Sequence, residues 1–113
     1  MMRHMACVKD ITFSEFQQLV ENKKSFIIEL WAEWCHPCKM MAPYLEEACE
    51  QLNACYFYKM NIDESPEIID FLNINSIPRV IMFINGERQF ELKGLHKLES
   101  IIDQVSKMPC DSV

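Results

Sequence analysis

Short apolar runs of strand length alternate along this 113-residue chain with segments in which apolar residues recur at helical spacing, and this alternation constrains the fold most. The runs cover residues 26–31, 55–60 and 80–84. The segments of helical period cover residues 13–20, 37–52, 66–72 and 98–105. Nearly continuous apolar strands alternating with helices are typical of a sheet covered on both faces. We therefore predict an α/β protein.

Two weaker signals complete the order of elements. Asn85 and Gly86 are a strong two-residue hairpin signal, and residues 90–92 are the expected return strand. Residues 6–8 are a candidate first strand. The predicted order is βαβαβαββα, with a central mixed sheet of about five strands flanked by four helices in a three-layer sandwich.

The helix boundaries carry recognisable signals. Ser14 and Gln17 have the spacing of a capping box, and Ser65 is placed to cap a short helix that has Pro66 at its first position. Pro43 falls inside the second helical segment, where we expect a kink.

Length, charge and hydropathy limit the functions that this chain can have. We expect residues 1–113 to form a single domain, with 1–5 as a disordered lead and 108–113 as a tail. The formal net charge of −6 argues against nucleic acid as a partner, because phosphate binding requires a cationic face. No apolar run is long enough for a membrane span, and we expect a monomer that does not bind membranes.

Six cysteines are many for a chain of this size. The first 30 residues lack the pattern of a signal peptide, so we expect a cytoplasmic protein in a reducing compartment. There, the close pair Cys35 and Cys38 is typical of a catalytic or a zinc-binding site. A zinc site would need two further ligands, and no second C-x-x-C and no H-x-x-x-H motif is present. We expect no metal.

The other four cysteines carry no motif. Cys49 lies on the apolar side of a helical segment and Cys55 opens a buried strand, so both are interpreted as small core residues. Cys7 and Cys110 lie near the termini, where they are expected to be accessible.

The reactive pair lies where an apolar strand meets a helix. Unpaired amides and the helix dipole at such an N-terminus stabilise a thiolate. We expect Cys35 to be exposed at this edge and Cys38 to lie one turn inward, close enough to form a disulfide. Pro37 presets a helical φ angle and stiffens the ring.

Two more residues draw attention by their position. Glu29 lies within an apolar run, where burial would raise its pKa and suit it to proton exchange near neutral pH, unless it faces solvent from an edge. Lys59 in the neighbouring strand is either its partner or exposed. Pro78 starts an apolar strand, and its missing N–H leaves the backbone around Ile77 open to an incoming chain; the alternative is an ordinary turn proline.

Together these residues resemble the thioredoxin family. Residues 31–39 are similar to the family signature W-A-x-W-C-G-P-C-K, and residues 41–43, 59–63, 77–78, 83–86 and Gly94 match the family in position and order. The resemblance covers roughly residues 8–105. It implies a thioredoxin-like fold with no cofactor beyond a redox-active disulfide between Cys35 and Cys38.

The resemblance also implies roles for single residues. Cys35 would attack a substrate disulfide and Cys38 would resolve the mixed disulfide. Glu29 matches the family's buried acid, a proton acceptor and donor, and Lys59 the lysine that partners it. The partners would be protein disulfides and an electron donor of the thioredoxin-reductase type.

The substrate-binding residues implied by the resemblance surround the pair. Pro78 would be a cis proline beside the active site, and Ile77 would pair with the substrate chain through its backbone. Trp34 and Trp31 would flank the cysteines, and Gly94 would complete the substrate-binding surface.

Three residues depart from the family pattern. His36 replaces the usual Gly, and its imidazole should favour the Cys35 thiolate and make the disulfide more oxidising, unless the ring is exposed and without effect. Glu29 replaces the usual Asp. Arg79 stands where Thr is common, and it either offers a cation to acidic substrates or is simply solvated.

The predicted function is reduction of protein disulfides. Three alternatives remain at this point: a more oxidising oxidase or isomerase, suggested by His36; a glutaredoxin-like role, which fits Trp34 and its context less well; and a binding subunit whose redox chemistry is incidental.

Overall fold

The computed structural model describes residues 6–110. Within them the elements in chain order are β1 (Lys9–Asp10), α1 (Phe13–Glu21), β2 (Phe26–Trp31), α2 (His36–Gln51), β3 (Phe57–Asn61), α3 (Glu67–Leu72), β4 (Arg79–Ile84), β5 (Glu87–Lys93) and α4 (Leu98–Val105). The predicted order βαβαβαββα is confirmed. No helix in the described range is long and apolar enough to cross a membrane.

The strands form one mixed sheet in the order β1-β3-β2-β4-β5. Strands β1, β2 and β3 are parallel, whereas β4 runs antiparallel to both β2 and β5. At the β4–β5 turn Asn85 and Gly86 both have positive φ angles, 54° and 79°, as the predicted two-residue hairpin requires.

Helices cover both faces of this sheet. Buried residues of α2 and α4 pack with Ile27 and Val80 on one face, and those of α1 and α3 pack with Ile28 and Ile81 on the other. Successive residues of a strand point to opposite faces, so the same strands supply both cores. The predicted three-layer α/β sandwich, with five strands and four helices in residues 6–110, is confirmed.

Three local predictions were wrong. The first strand is Lys9–Asp10 rather than residues 6–8, because Lys9 and Asp10 align with β3. The capping box uses Thr12 and Glu15 instead of Ser14 and Gln17: the Glu15 amide donates to the Thr12 hydroxyl at 3.1 Å, and the Thr12 amide donates to the Glu15 carboxylate at 2.8 Å.

Ser65 does not cap α3. The N-cap residue of this helix is Pro66, whose side chain makes no capping hydrogen bond, and the helix begins at Glu67. Helix α2 continues past Pro43 to Gln51.

The cysteines outside the active pair form two disulfides, Cys7–Cys49 and Cys55–Cys110. Cys49 is buried in the core and Cys55 packs against it, as expected, but the sequence did not predict that either forms a disulfide. These bonds tie the segment before β1 to α2, and the segment after α4 to the segment just before β3. The predicted lead, residues 1–5, lies outside the described range, as do residues 111–113 of the predicted tail.

Candidate active site

Cys35 occupies the N-cap of α2 and forms a disulfide with Cys38, in the first turn of the helix. The two Cα atoms are 5.3 Å apart. The Cys38 amide donates to the Cys35 sulfur at 3.2 Å, so this sulfur takes the place of a capping oxygen. A thiolate in this position would accept the same bond and would lie at the positive end of the helix dipole. Pro37 lies in the same turn.

Both cysteines are buried in this oxidised state. The exposed fraction is 4% for Cys35 and 2% for Cys38, so the expectation of an exposed Cys35 was wrong. The reason is local packing: Trp31, Ile62 and Ile77 lie against the disulfide. The disulfide therefore lies within a cluster of apolar side chains.

Glu29 is buried close to Cys38. Its position in β2 points it to the face that α2 covers, and only 4% of the residue is exposed, which excludes the edge position facing solvent. Its Oε2 atom is buried with no hydrogen-bond partner among residues 6–110. Desolvation raises the pKa of Glu29 to about 8. A cleft of about 320 Å³ connects this carboxyl with Cys38 and Lys59.

Lys59 lies opposite Glu29 in the register of β2 and β3. Its ammonium pairs with Asp10 at 4.0 Å and lies 5.2 Å from the centre of the Trp31 ring. No ion pair within 4.0 Å joins Lys59 to Glu29 in the described part of the chain. Lys59 therefore acts on Glu29 as a nearby charge that lowers its pKa, while Asp10 raises it.

Pro78 and Ile77 form the other border of the site. The Ile77–Pro78 peptide bond is cis, as the resemblance implies, and the Pro78 carbonyl accepts from the Gly94 amide at 2.9 Å. The amide and carbonyl of Ile77 make no hydrogen bond within residues 6–110. These two groups are free to pair with the backbone of an extended chain.

An apolar groove of about 390 Å³ lies between Trp34 and Ile77, and Ile77 also packs against the disulfide. Trp34 is 68% exposed, and its indole N–H donates to the Asp63 carboxylate at 2.9 Å. Sequence reasoning gave no role to Asp63 or to Ile62, which also lines this groove. Both fall in the family-like segment 59–63, which was the available signal.

The side chain of Arg79 is buried and contacts the segment just before Ile77. It is 3% exposed, so both sequence-based interpretations, a cation offered to substrates and a solvated side chain, were wrong. The guanidinium donates to Asn75 Oδ1 at 2.9 Å and to Ser76 Oγ at 3.0 Å, and it lies 3.8 Å from the Glu91 carboxylate. In contrast, His36 is exposed at the first position of α2.

No group of three or more His, Cys, Asp or Glu side chains within residues 6–110 could hold a metal ion. The four cysteines outside the active pair are joined to one another. The site itself combines the Cys35–Cys38 disulfide with the buried carboxyl of Glu29.

Comparisons with known proteins agree with this geometry. The sequence model of the thioredoxin family matches residues 7–107. The chain is 39% identical over 100 residues to thioredoxin of Rickettsia bellii, covering 88% of this chain and 93% of that protein. It is 37% identical over 97 residues to thioredoxin of Alicyclobacillus acidocaldarius, covering 85% and 92%. The solved structure of Plasmodium falciparum thioredoxin superposes with a TM-score of 0.78 at 31% identity, covering 88% of this chain and 97% of that one.

Proposed function

This chain belongs to the thioredoxin family and is a thiol–disulfide oxidoreductase, and on that premise we propose the residues that perform each step of protein-disulfide reduction. The observation that carries the proposal is the position of Cys35: its sulfur lies at the N-cap of α2, accepts the Cys38 amide and lies beside the unpaired backbone of Ile77.

In the first step the Cys35 thiolate attacks one sulfur of a substrate disulfide. A bond forms between Cys35 Sγ and that sulfur, the substrate S–S bond breaks, and the second substrate sulfur leaves as a thiolate. The helix N-terminus stabilises the attacking anion. We assign binding of the substrate chain to the Ile77 backbone, with the Pro78–Gly94 hydrogen bond holding the adjoining turn and Trp34 bordering the groove.

The second step resolves the mixed disulfide. The Cys38 thiol gives its proton to the Glu29 carboxylate, and the resulting thiolate attacks Cys35 Sγ. The Cys35–Cys38 disulfide forms, the bond between Cys35 Sγ and the substrate breaks, and the substrate sulfur that Cys35 attacked in the first step leaves as a thiolate. The substrate thus gains the two electrons that the dithiol loses. A carboxyl with a pKa of about 8 in the cleft that Cys38 lines supports this assignment.

Family membership implies an enzyme that regenerates the dithiol, and we propose a donor of the thioredoxin-reductase type. Its action is measured by thiol trapping of Cys35 and Cys38 after incubation with such an enzyme and its reductant. We further propose that the protein acts as a monomer, which size-exclusion chromatography tests.

The more oxidising role that His36 suggested is not favoured, because the relatives matched over most of the chain are thioredoxins. We propose a cytoplasmic location. In a reducing compartment Cys7, Cys49, Cys55 and Cys110 would be thiols, and rapid alkylation in intact cells tests this. Recovery of these cysteines as disulfides would contradict a cytoplasmic location.

The function itself is tested with a two-chain protein joined by disulfides, with excess dithiol as reductant. Wild-type protein is expected to accelerate separation of the chains, Cys35→Ser to abolish the acceleration, and Cys38→Ser to accumulate a covalent mixed disulfide. A Cys38→Ser variant that forms no mixed disulfide, or a fully active Cys35→Ser variant, would contradict the proposed roles.

A further inference from the structure

The segment that presents Ile77 to the substrate has unusually little support from the backbone. We define the presenting loop as residues 75–77, between α3 and β4. Within residues 6–110 no amide or carbonyl of Asn75, Ser76 or Ile77 joins another backbone group in a hydrogen bond. On either side the backbone is fixed: the Ile74 amide donates to Ile69 and the Pro78 carbonyl accepts from Gly94. The presenting loop must therefore be held by side chains.

Arg79 supplies those side-chain contacts. One amino group of its guanidinium, Nη2, donates to Asn75 Oδ1 at 2.9 Å and to Ser76 Oγ at 3.0 Å. These are the hydrogen bonds that join the presenting loop to other residues of the described range. Because the guanidinium is a planar fork, Nη1 can face Glu91 while Nη2 donates to both loop acceptors, an arrangement that the single ammonium of a lysine provides less well.

The guanidinium is in turn fixed from the sheet. Its Nη1 atom lies 3.8 Å from the carboxylate of Glu91 in β5. Arg88 holds the same carboxylate with hydrogen bonds of 2.9 and 3.2 Å and donates to the Leu72 carbonyl at the end of α3 at 2.6 Å. Arg79, Glu91 and Arg88 thus form a brace that connects the presenting loop to β5 and to the end of α3.

Arg79 is the buried member of this brace. It is 3% exposed, so its charge is compensated by these contacts, while its Nε atom has no hydrogen-bond partner within residues 6–110. The side chain lies on the sheet face covered by α1 and α3, whereas Glu29 lies on the opposite face, covered by α2. Arg79 therefore has no route to the sulfur chemistry except through the loop that it holds.

We propose that Arg79 is a positioning residue that preorganises the presenting loop for pairing with an extended protein chain. The proposal rests on the proposed function. Ordering a loop at the moment of binding weakens affinity, so a loop ordered in advance favours substrates that pair with its backbone. A small disulfide that has no peptide backbone cannot use this pairing. The brace therefore selects disulfides within extended polypeptide over small disulfides.

The test compares two substrates in Arg79→Met, which keeps an unbranched stem and removes all five donors. We expect KM for a disulfide-linked two-chain protein to rise about tenfold with little change in kcat. A tenfold rise corresponds to the binding free energy lost when a charge-assisted hydrogen bond is removed. The effect on kcat/KM for bis(2-hydroxyethyl) disulfide is expected to be several times smaller. Equal effects on both substrates would overturn the proposal.

A matched control separates positioning from stability. Val105→Ala removes two methyl groups from a fully buried position of α4, on the other face of the sheet, and destabilises the fold without touching the presenting loop. This variant is expected to lower Tm. The ratio of kcat/KM for the protein disulfide to kcat/KM for bis(2-hydroxyethyl) disulfide should stay at the wild-type level. A ratio shifted in Val105→Ala as much as in Arg79→Met would attribute the effect to general destabilisation and overturn the proposal.

The exposed loop residues provide a second test that does not depend on the folding of Arg79→Met. Asn75→Ala/Ser76→Ala removes both acceptors and buries no charge. It is expected to raise KM for the protein substrate almost as much as Arg79→Met, and adding Arg79→Met to it should have little further effect. An unchanged KM in the double variant, or fully additive effects in the triple variant, would overturn the proposal. If wild type fails to reduce the protein substrate, the proposed function fails instead.

Discussion

Glu29 and Lys59 lie side by side in the parallel register of β2 and β3, yet the Lys59 ammonium forms its ion pair with Asp10, 4.0 Å away. The carboxyl of Glu29 is thus left buried with one oxygen unpartnered, and its pKa is raised to about 8. A residue in this condition accepts a proton readily near neutral pH. This condition supports the proposed transfer of the Cys38 proton to Glu29.

Glu29→Gln should slow resolution of the mixed disulfide by at least about tenfold while leaving the first attack nearly unchanged, because only the second step deprotonates Cys38. In wild type the rate of resolution should increase as the pH rises through about 8, where Glu29 becomes a carboxylate, and the variant should lack this inflection. Stopped-flow measurement of both steps checks the prediction. A variant with both steps at wild-type rates would contradict it.

The pH at which the resolution rate has its inflection should shift in opposite directions when Asp10 or Lys59 is neutralised. Asp10 raises the pKa of Glu29 and Lys59 lowers it. Asp10→Asn should therefore move the inflection to lower pH, and Lys59→Met to higher pH. The pH profile of the resolution rate in the two variants checks this, with Glu64→Gln as an exposed control that should leave the inflection in place. Shifts of the same sign in both variants would contradict the assignment.

The Glu29 carboxyl also makes the free energy of unfolding depend on pH. The pKa of Glu29 is near 4.5 in the unfolded chain and about 8 in the fold, so between these values the folded state holds one more proton. Stability then falls as pH rises, by up to about 2 kcal/mol between pH 5.5 and 7 from this group alone. Glu29→Gln should remove this component and become the more stable protein at pH 8. Urea unfolding at several pH values measures the free energy of unfolding of both proteins. Parallel curves of this free energy against pH would contradict the prediction.

Much of this architecture is local in origin and could be predicted. The apolar run 26–31 coincides with β2, and Asn85–Gly86 forms the hairpin because both residues take positive φ angles there. The motif around Cys35 and Cys38 predicted the N-terminal edge of a helix, since Pro37 and the strand before it favour that position. Each of these features depends on neighbours within a few residues.

The features that were missed depend on distant residues. The burial of Arg79 follows from Asn75, Ser76 and Glu91, and Glu91 belongs to a different strand. The outer disulfides join cysteines separated by 42 and 55 positions, and four cysteines allow three pairings that sequence cannot distinguish. The burial of Cys35 likewise requires Ile62 and Ile77.

His36 should make the disulfide more oxidising, because a protonated imidazole beside Cys35 stabilises the thiolate and with it the dithiol. The side chain is exposed, so we expect a modest effect. His36→Gly should shift the equilibrium with glutathione about three- to tenfold toward the oxidised protein, or about 15–30 mV toward more reducing potentials. Equal equilibrium constants for wild type and His36→Gly would contradict this role.

The outer disulfide Cys55–Cys110 should stabilise the fold without taking part in catalysis. It closes a long loop in the unfolded chain, because its cysteines are 55 positions apart, and it anchors the segment after α4. By the chain-entropy estimate such a bond contributes about 4 kcal/mol. Cys55→Ala/Cys110→Ala should therefore lower the free energy of unfolding under oxidising conditions, while protein-disulfide reduction well below Tm stays near the wild-type rate.

Reduction provides the control for this last prediction. In excess dithiol the wild type also loses the Cys55–Cys110 bond, so the difference in unfolding free energy between the two proteins should largely disappear. Cys7→Ala/Cys49→Ala is the matched variant, with a bond of similar loop length, 42 positions, at the other terminus, and it should behave in the same way. A stability gap that persists undiminished in dithiol would show that packing of the cysteine side chains, and not the covalent bond, stabilises this end of the molecule.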